Sequence, residues 1–222
     1  MGPIENQPEQ GRLAFSMLGV GYAPGVRGHG LPRVVAFHKP RGVVVSRVSE
    51  RGAPTLFMLL PAEFRGFYAV GRLDKDSEGL ILLCNDSRVA QRLMDPGVLP
   101  KTYLVTVRGL PSEAALDRLR AGGMELDGRK TRPAEVRRLG KAPRGGTRLE
   151  VVLHEGINRQ IRRLFHALGH RVRQLKRVAV GPVSLGDLQP GELRELSREE
   201  VLQLLKEAGL LEKRGKLGGQ EV

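Results

Sequence analysis

The run Leu80-Ile81-Leu82-Leu83-Cys84, preceded by Gly79 and closed by Asn85-Asp86, limits the fold of this chain more than any other stretch. Five consecutive apolar residues between turn formers read as a buried strand. The segment just before it is its opposite in character. Asp74, Asp76, Glu78 and Asp86 place four carboxylates in thirteen positions of an otherwise basic chain. Asp74, Asp76, Glu78 and Gly79 are spaced like the first half of an EF-hand, but the position that needs a bidentate Glu holds Asn85, and the apolar run occupies the coordinating half. A two-metal nuclease site needs carboxylates that converge, whereas alternate residues of an extended segment point to opposite faces. Asp76 and Glu78 therefore read as a solvated acidic turn between two strands. Asp74 stays open at this stage.

The chain has 222 residues, 40% of them apolar, enough for one good core or two small ones. Lys and Arg number 37 against 24 Asp and Glu, a formal charge of +13. Spread without long runs of like charge, that excess points to a folded protein that meets a polyanion, with nucleic acid ahead of an acidic membrane surface. Aromatics are only 4% and Trp is absent, which argues against a base-stacking platform of the RRM or OB kind. Nucleic-acid contacts should then rest on Arg, Lys and one or two rings. No apolar run approaches the roughly 18 residues that a membrane span requires. "MGPIENQPEQ" lacks the features of a signal peptide. The single Cys84 has no internal disulfide partner and reads as a packed core residue. A cytoplasmic monomer is expected.

Residues 1 to 32, rich in Gly and Pro, are expected to form an irregular or disordered tail, 33 to 209 a single bilobed domain, and 210 to 222 a flexible tail. Within the domain, "RVVAFHKPRGVVVS" predicts strand, turn and strand, and "TLFMLLP" a helical turn. "FYAVGRLD" and "GLILLC" predict strands around the acidic turn, and Asp86 should cap a short helix. "KTYLVTVRG", "KTRPAEVRRLG", "TRLEVVLHEG", "RVRQLKRVAVG" and "PVSLGDL" predict further strands. Helices are expected after Ser112, over residues 158 to 168, and after a capping box of Ser197 with Glu200. The class is α+β, with a largely antiparallel or mixed sheet flanked by helices.

In the helix at 158 to 168, Ile161, Leu164, Phe165 and Leu168 form one apolar stripe. Arg159, Arg162, Arg163 and His166 repeat the same spacing on another side. Most charged helix faces are merely solvated. This one carries no acid, so its arginines should seek anions elsewhere: phosphates, or a carboxylate such as Asp74.

Four segments in this order, "GRLDKDSEGLILLCND", "KTYLVTV", "EGINRQIRRLFHALGH" and "LKRVAVGPVSLGDLQPGELREL", resemble the RsuA-type pseudouridine synthases over residues 34 to about 196. The resemblance implies a pseudouridine-synthase-like catalytic fold with an active-site cleft across the sheet. It implies isomerisation of a uridine in ribosomal RNA, with Asp74 as the catalytic residue and Tyr103 beside the target base. Arg162 is the expected partner of Asp74, with Arg159 the matching position in an alternative register. The stretch before the first strand is too short for the S4-type RNA-binding domain of many members, so the chain resembles the RluE-like members, and 23S rRNA or an assembly intermediate is the implied partner. Ser77 and Cys84 stand where Thr is common.

The chemistry accounts for these residue types. Exchanging an N1–C1′ bond for a C5–C1′ bond changes neither oxidation state nor composition, so no cofactor or metal is called for. It requires a carboxylate acting as nucleophile or base, a ring to hold the detached uracil, and a cation that keeps the carboxylate ionised and aimed. A uridine inside a helix must be flipped out, at a cost of a few kcal/mol that phosphate contacts offset. Arg72, Lys101, Arg159, Arg163, Lys176 and Arg177 are the candidates for those contacts. His154, His166 and His170 lack a Cys pair and do not make a convincing zinc set, and His38 reads as a core or edge histidine. Two other classes remain as alternatives: a non-catalytic RNA-binding ribosome-assembly protein, and a metal-dependent nuclease using Asp74, Asp76 and Glu78.

Overall fold

Residues 30–49 and 52–211 are described by the computed structural model. The tails expected for 1 to 32 and 210 to 222 lie almost wholly outside them. In chain order the elements are β1 (Val34–Lys39), α1 (Leu56–Leu59), β2 (Tyr68–Val70), β3 (Glu78–Cys84), α2 (Ser87–Met94) and β4 (Lys101–Arg108). Next come α3 (Glu113–Ala121), β5 (Glu125–Leu126), β6 (Arg129–Lys130), β7 (Glu135–Ala142) and β8 (Gly146–Leu153). The series ends with α4 (Gln160–Ala167), β9 (Val172–Val180), β10 (Val183–Ser184), β11 (Leu193–Glu195) and α5 (Arg198–Glu207).

The strands build one mixed sheet in the order β11-β1-β3-β9-β4-β8-β7, with β2 beside β3 and β10 beside β9. All pairings in it are antiparallel except that of β3 with β9, where Glu78 lies opposite Lys176 and Gly79 opposite Arg177. This parallel seam divides the sheet. On one side of it, the apolar run of β3 and the whole of β1 are buried. Leu80, Leu82 and Cys84 pack with α2 and α5 on one face, while Ile81 and Leu83 pack with Leu56, Phe64 and Phe67 on the other. Across the seam, alternate residues of β4 and β8, together with Val136 of β7 and Val172 and Leu175 of β9, turn inward against α3 and α4. Tyr103 touches both the second and the third of these cores.

Gly79 is what lets the two parts close. A Cβ there would fall 2.2 Å from the backbone oxygen of Arg177, and φ is +112°, so only glycine fits.

Local signals explain the helix starts. Asp86 accepts from the amides of Arg88 (2.8 Å) and Val89 (3.3 Å), capping α2. Ser197 and Glu200 close the capping box of α5, at 3.2 and 2.9 Å. Ile161, Leu164 and Phe165 of α4 are buried, and Leu168 packs beside them.

Two expectations needed correction. "GVVVS" is not a strand: Val43 and Val45 are buried, but only an isolated bridge from Val44 to Thr55 forms, because no neighbouring strand offers a ladder. "PVSLGDL" contributes only Val183–Ser184. The β5–β6 hairpin and the short, polar edge strand β11 were not expected.

Candidate active site

Asp74 lies in the loop from β2 to β3. The turn is closed by Ser77 N donating to Asp74 O (3.0 Å) and braced from outside by Gly42 N donating to Lys75 O (2.8 Å). The Asp74 side chain is one quarter exposed, and its Oδ2 is 3.3 Å from Arg159 Nη1 and 4.0 Å from Arg162 Nε. Arg162 also donates from Nη2 to Asp76 O (3.1 Å) and Ser77 Oγ (3.2 Å). Burial first, then the charge of Arg159, lowers Arg162 below the usual guanidinium value, while Asp74 and Asp76 oppose that shift. A guanidinium keeps its charge regardless. One arginine thus faces the carboxylate directly, and the second holds the turn that carries it.

Arg159 reaches Asp74 from an unusual backbone. It is the N-cap of α4 in the left-handed conformation, φ 50°, which a non-glycine residue adopts only when its surroundings enforce it. The buried Gln160 supplies that enforcement. It accepts from Ile157 N (3.2 Å) and donates to Glu155 Oε1 (2.6 Å), which in turn accepts from Arg132 N (2.9 Å). Glu155 and Gln160 carry no signal in the sequence, because their hydrogen bond closes an irregular turn that has no periodic pattern.

Lys39 sits close to the same acidic turn. It is fully buried, and its Nζ donates to Pro40 O (2.9 Å) and Val43 O (2.8 Å). Burial pulls its pKa down to about 8, against the nearby charges of Asp74, Glu78 and Asp76. A lysine ending an otherwise buried strand beside a Pro-Gly turn was the available signal.

Asp74, Tyr103, Arg159, Arg72, Lys101 and Arg177 line one cleft of about 860 Å³. Arg72 is exposed, whereas Arg177 is only 2% exposed. The other expected contacts lie elsewhere. Arg163 turns away to Asp127 in the β5–β6 turn, at 2.6 and 2.8 Å. Lys176 is not among the cleft residues, since it follows Leu175 and precedes Arg177 on a strand whose successive side chains alternate faces.

Asp76 is exposed and Glu78 enters β3, and among the described residues no group of three His, Cys, Asp or Glu is arranged to hold a metal ion. The geometry gives the nuclease alternative no support. His38 is buried with Nδ1 2.7 Å from Leu188 O, and His170 Nδ1 lies 3.0 Å from Arg108 O. Cys84 is buried, with its thiol pKa raised to about 11 by burial. Among the described residues no helix is long and apolar enough to cross a membrane.

Comparison with known proteins identifies the family. Residues 33–167 match the family model described as RNA pseudouridylate synthase. A ribosomal large subunit pseudouridine synthase E from Xanthomonas campestris is 44% identical over 72% of this chain and 94% of its own. A ribosomal large subunit pseudouridine synthase B from Bacillus subtilis is 37% identical over 78% of this chain and 71% of its own. A crystal structure of a pseudouridylate synthase superposes with a TM-score of 0.69 at 29% identity, covering 78% of this chain and 74% of that one. The chain belongs to the RNA pseudouridylate synthase family.

Proposed function

We propose that this protein, acting as a monomer, isomerises one uridine of ribosomal RNA, 23S rRNA by preference, with residues 33 to 209 as the catalytic unit. The relatives named for the large ribosomal subunit support the substrate class. The observation that carries the reading is the Asp74 side chain facing Arg159 at 3.3 Å in the cleft that Tyr103 also lines. In this reading the uridine is flipped from its helix, and its base enters the cleft against the Tyr103 ring. The Asp74 carboxylate attacks or deprotonates at the sugar-base junction, and the guanidinium keeps it aimed. Arg72 at the cleft surface takes a backbone phosphate, within a field set by the chain's +13 charge. The substrate is rRNA, either free or within an assembly intermediate.

The test is release of tritium from rRNA labelled at C5 of uridine, in the presence of EDTA. Wild type is expected to release it, and Asp74→Asn to be slower by about 10⁴-fold or more with thermal stability near wild type. Undiminished release by Asp74→Asn would remove the carboxylate from the mechanism. Absence of release by wild type would favour a non-catalytic RNA-binding role.

A further inference from the structure

The floor of the cleft holds positive charge that no carboxylate among the described residues pairs with. Arg177 on β9 lies opposite Tyr103 on β4, so the two side chains rise from one face of the sheet. Its Nε donates to Leu80 O at 2.7 Å, while among the described residues its Nη2 is buried without a hydrogen-bond partner. Lys101 lines the same cleft, and its Nζ reaches only Leu99 O, at 3.2 Å. Among the described residues neither cation is paired with a carboxylate. Burial first, then the charge of Arg177, holds Lys101 below the ordinary lysine value. Buried donors left unanswered are costly, and such a group in a cleft awaits an acceptor.

Depth decides which acceptor. Arg177 is 98% removed from solvent, whereas a backbone phosphate remains outside with the strand. The inserted base is the part of the substrate that comes down to this floor.

We propose that Arg177, supported by Lys101, forms the uracil subsite and stabilises the negative charge the ring acquires on leaving the sugar, an inference that rests on the isomerase reading above. When the N1–C1′ bond breaks, its electron pair stays on the ring and spreads over O2 and O4. The ring turns, C5 bonds to C1′, the C5 proton leaves, and a proton is taken up at N1, so the overall composition is unchanged. Fixed donors already aimed where charge develops are the most effective form of such help.

The test compares the single-turnover rate of N1–C1′ bond breaking in two rRNA substrates, carrying uridine or 5-fluorouridine at the target. Since 5-fluorouridine has no C5 proton to lose, conversion is read as loss of the original glycosidic bond on either substrate. Fluorine acidifies the ring, so its anion needs less stabilisation. With uridine, Arg177→Met should slow conversion by roughly 10²-fold, and Lys101→Met by a smaller factor. RNA affinity and its salt slope should match wild type. On the 5-fluorouridine substrate both defects should shrink severalfold, and Arg177→Lys should regain part of the lost rate.

Equal slowing on both substrates would assign Arg177 a purely structural role through Leu80 and overturn the proposal. Lost RNA affinity with a salt slope reduced by about one would mark a phosphate contact and overturn it too. Should Arg177→Met fail to fold, Lys101→Met carries the same comparison. A wild type that converts neither RNA overturns the isomerase reading along with this one. A normal wild type with unimpaired variants overturns this inference alone.

Discussion

The two parts of the sheet flanking the β3–β9 seam are built differently, and the difference shows how the site is held. In β1 all six residues are buried, and in β3 only Glu78 is not. Both strands have apolar cover on each face. Beyond the seam, β4, β7 and β8 mix inward apolar residues with outward polar ones, and Leu104 on the uncovered face is 39% exposed. The doubly covered part carries the backbone of the Asp74 turn. The singly covered part supplies Tyr103, Arg177 and the arginines around α4. The cleft exists only where they meet, so stability invested in one part is transmitted to the chemistry through a junction of two registered pairs.

That junction is the first place to break the comparison. Gly79→Ala puts a methyl group against the Arg177 carbonyl at a φ only glycine tolerates. It should cost on the order of 4 kcal/mol and abolish conversion, as read by urea unfolding and tritium release. If stability were retained, the seam would be more yielding than the backbone contact implies.

Next, equal truncations should have unequal effects in the two parts. Leu82→Ala, in the doubly covered core, should lose about 3 kcal/mol. Leu104→Ala, on the open face, should lose no more than about 0.5 kcal/mol. Similar losses in calorimetry would mean that the open face is covered in solution.

The same contrast governs what could be read from the residues alone. β3 was legible because burial on both faces leaves an unbroken apolar run. α4 was legible because a helix covering one face must carry a stripe. β11 was not: three residues, Leu193 to Glu195, are too few and too polar to show a period. "GVVVS" misled because β-branched residues fit a core even where no partner strand exists. In the site, four-residue spacing set Arg159 and Arg163 on one face. Arg159, however, precedes the helix in a left-handed turn, so helical periodicity does not apply to it. That is why Arg159 meets Asp74 and Arg163 meets Asp127. Lys39 had a local signal in its place at the end of an apolar strand beside a Pro-Gly turn, but that signal does not separate a sealed lysine from one whose ammonium reaches water.

Lys39 gives a pH test of the buried part. Its folded pKa of about 8 lies below the ordinary lysine value of 10.5. Below pH 8 both folded and unfolded chains hold the proton, and the penalty of burying the charge is constant. Between about 8 and 10.5 the unfolded chain binds more protons, so this group's contribution to stability rises with pH. Wild type minus Lys39→Met, measured by urea unfolding, should climb by up to about 1 kcal/mol per pH unit across that window. A flat difference would mean that the ammonium is solvated.

The smallest expected effect lies at Arg163. Its pair with Asp127 joins α4 to the β5–β6 turn, but the two side chains are 34% and 65% exposed. Arg163→Ala should therefore cost less than about 1 kcal/mol. Since the guanidinium is already satisfied by a carboxylate outside the cleft, rRNA affinity and its salt slope should stay at the wild-type values. Asp127→Asn separates the two possibilities further. If Arg163 exchanged Asp127 for a phosphate on binding, weakening that pair would free the cation and tighten RNA binding, while Arg163→Ala would lower the salt slope by about one. Unchanged affinity in both variants leaves Arg163 as a strut of the singly covered part, and assigns the anion contacts of the helix start to Arg159 and Arg162.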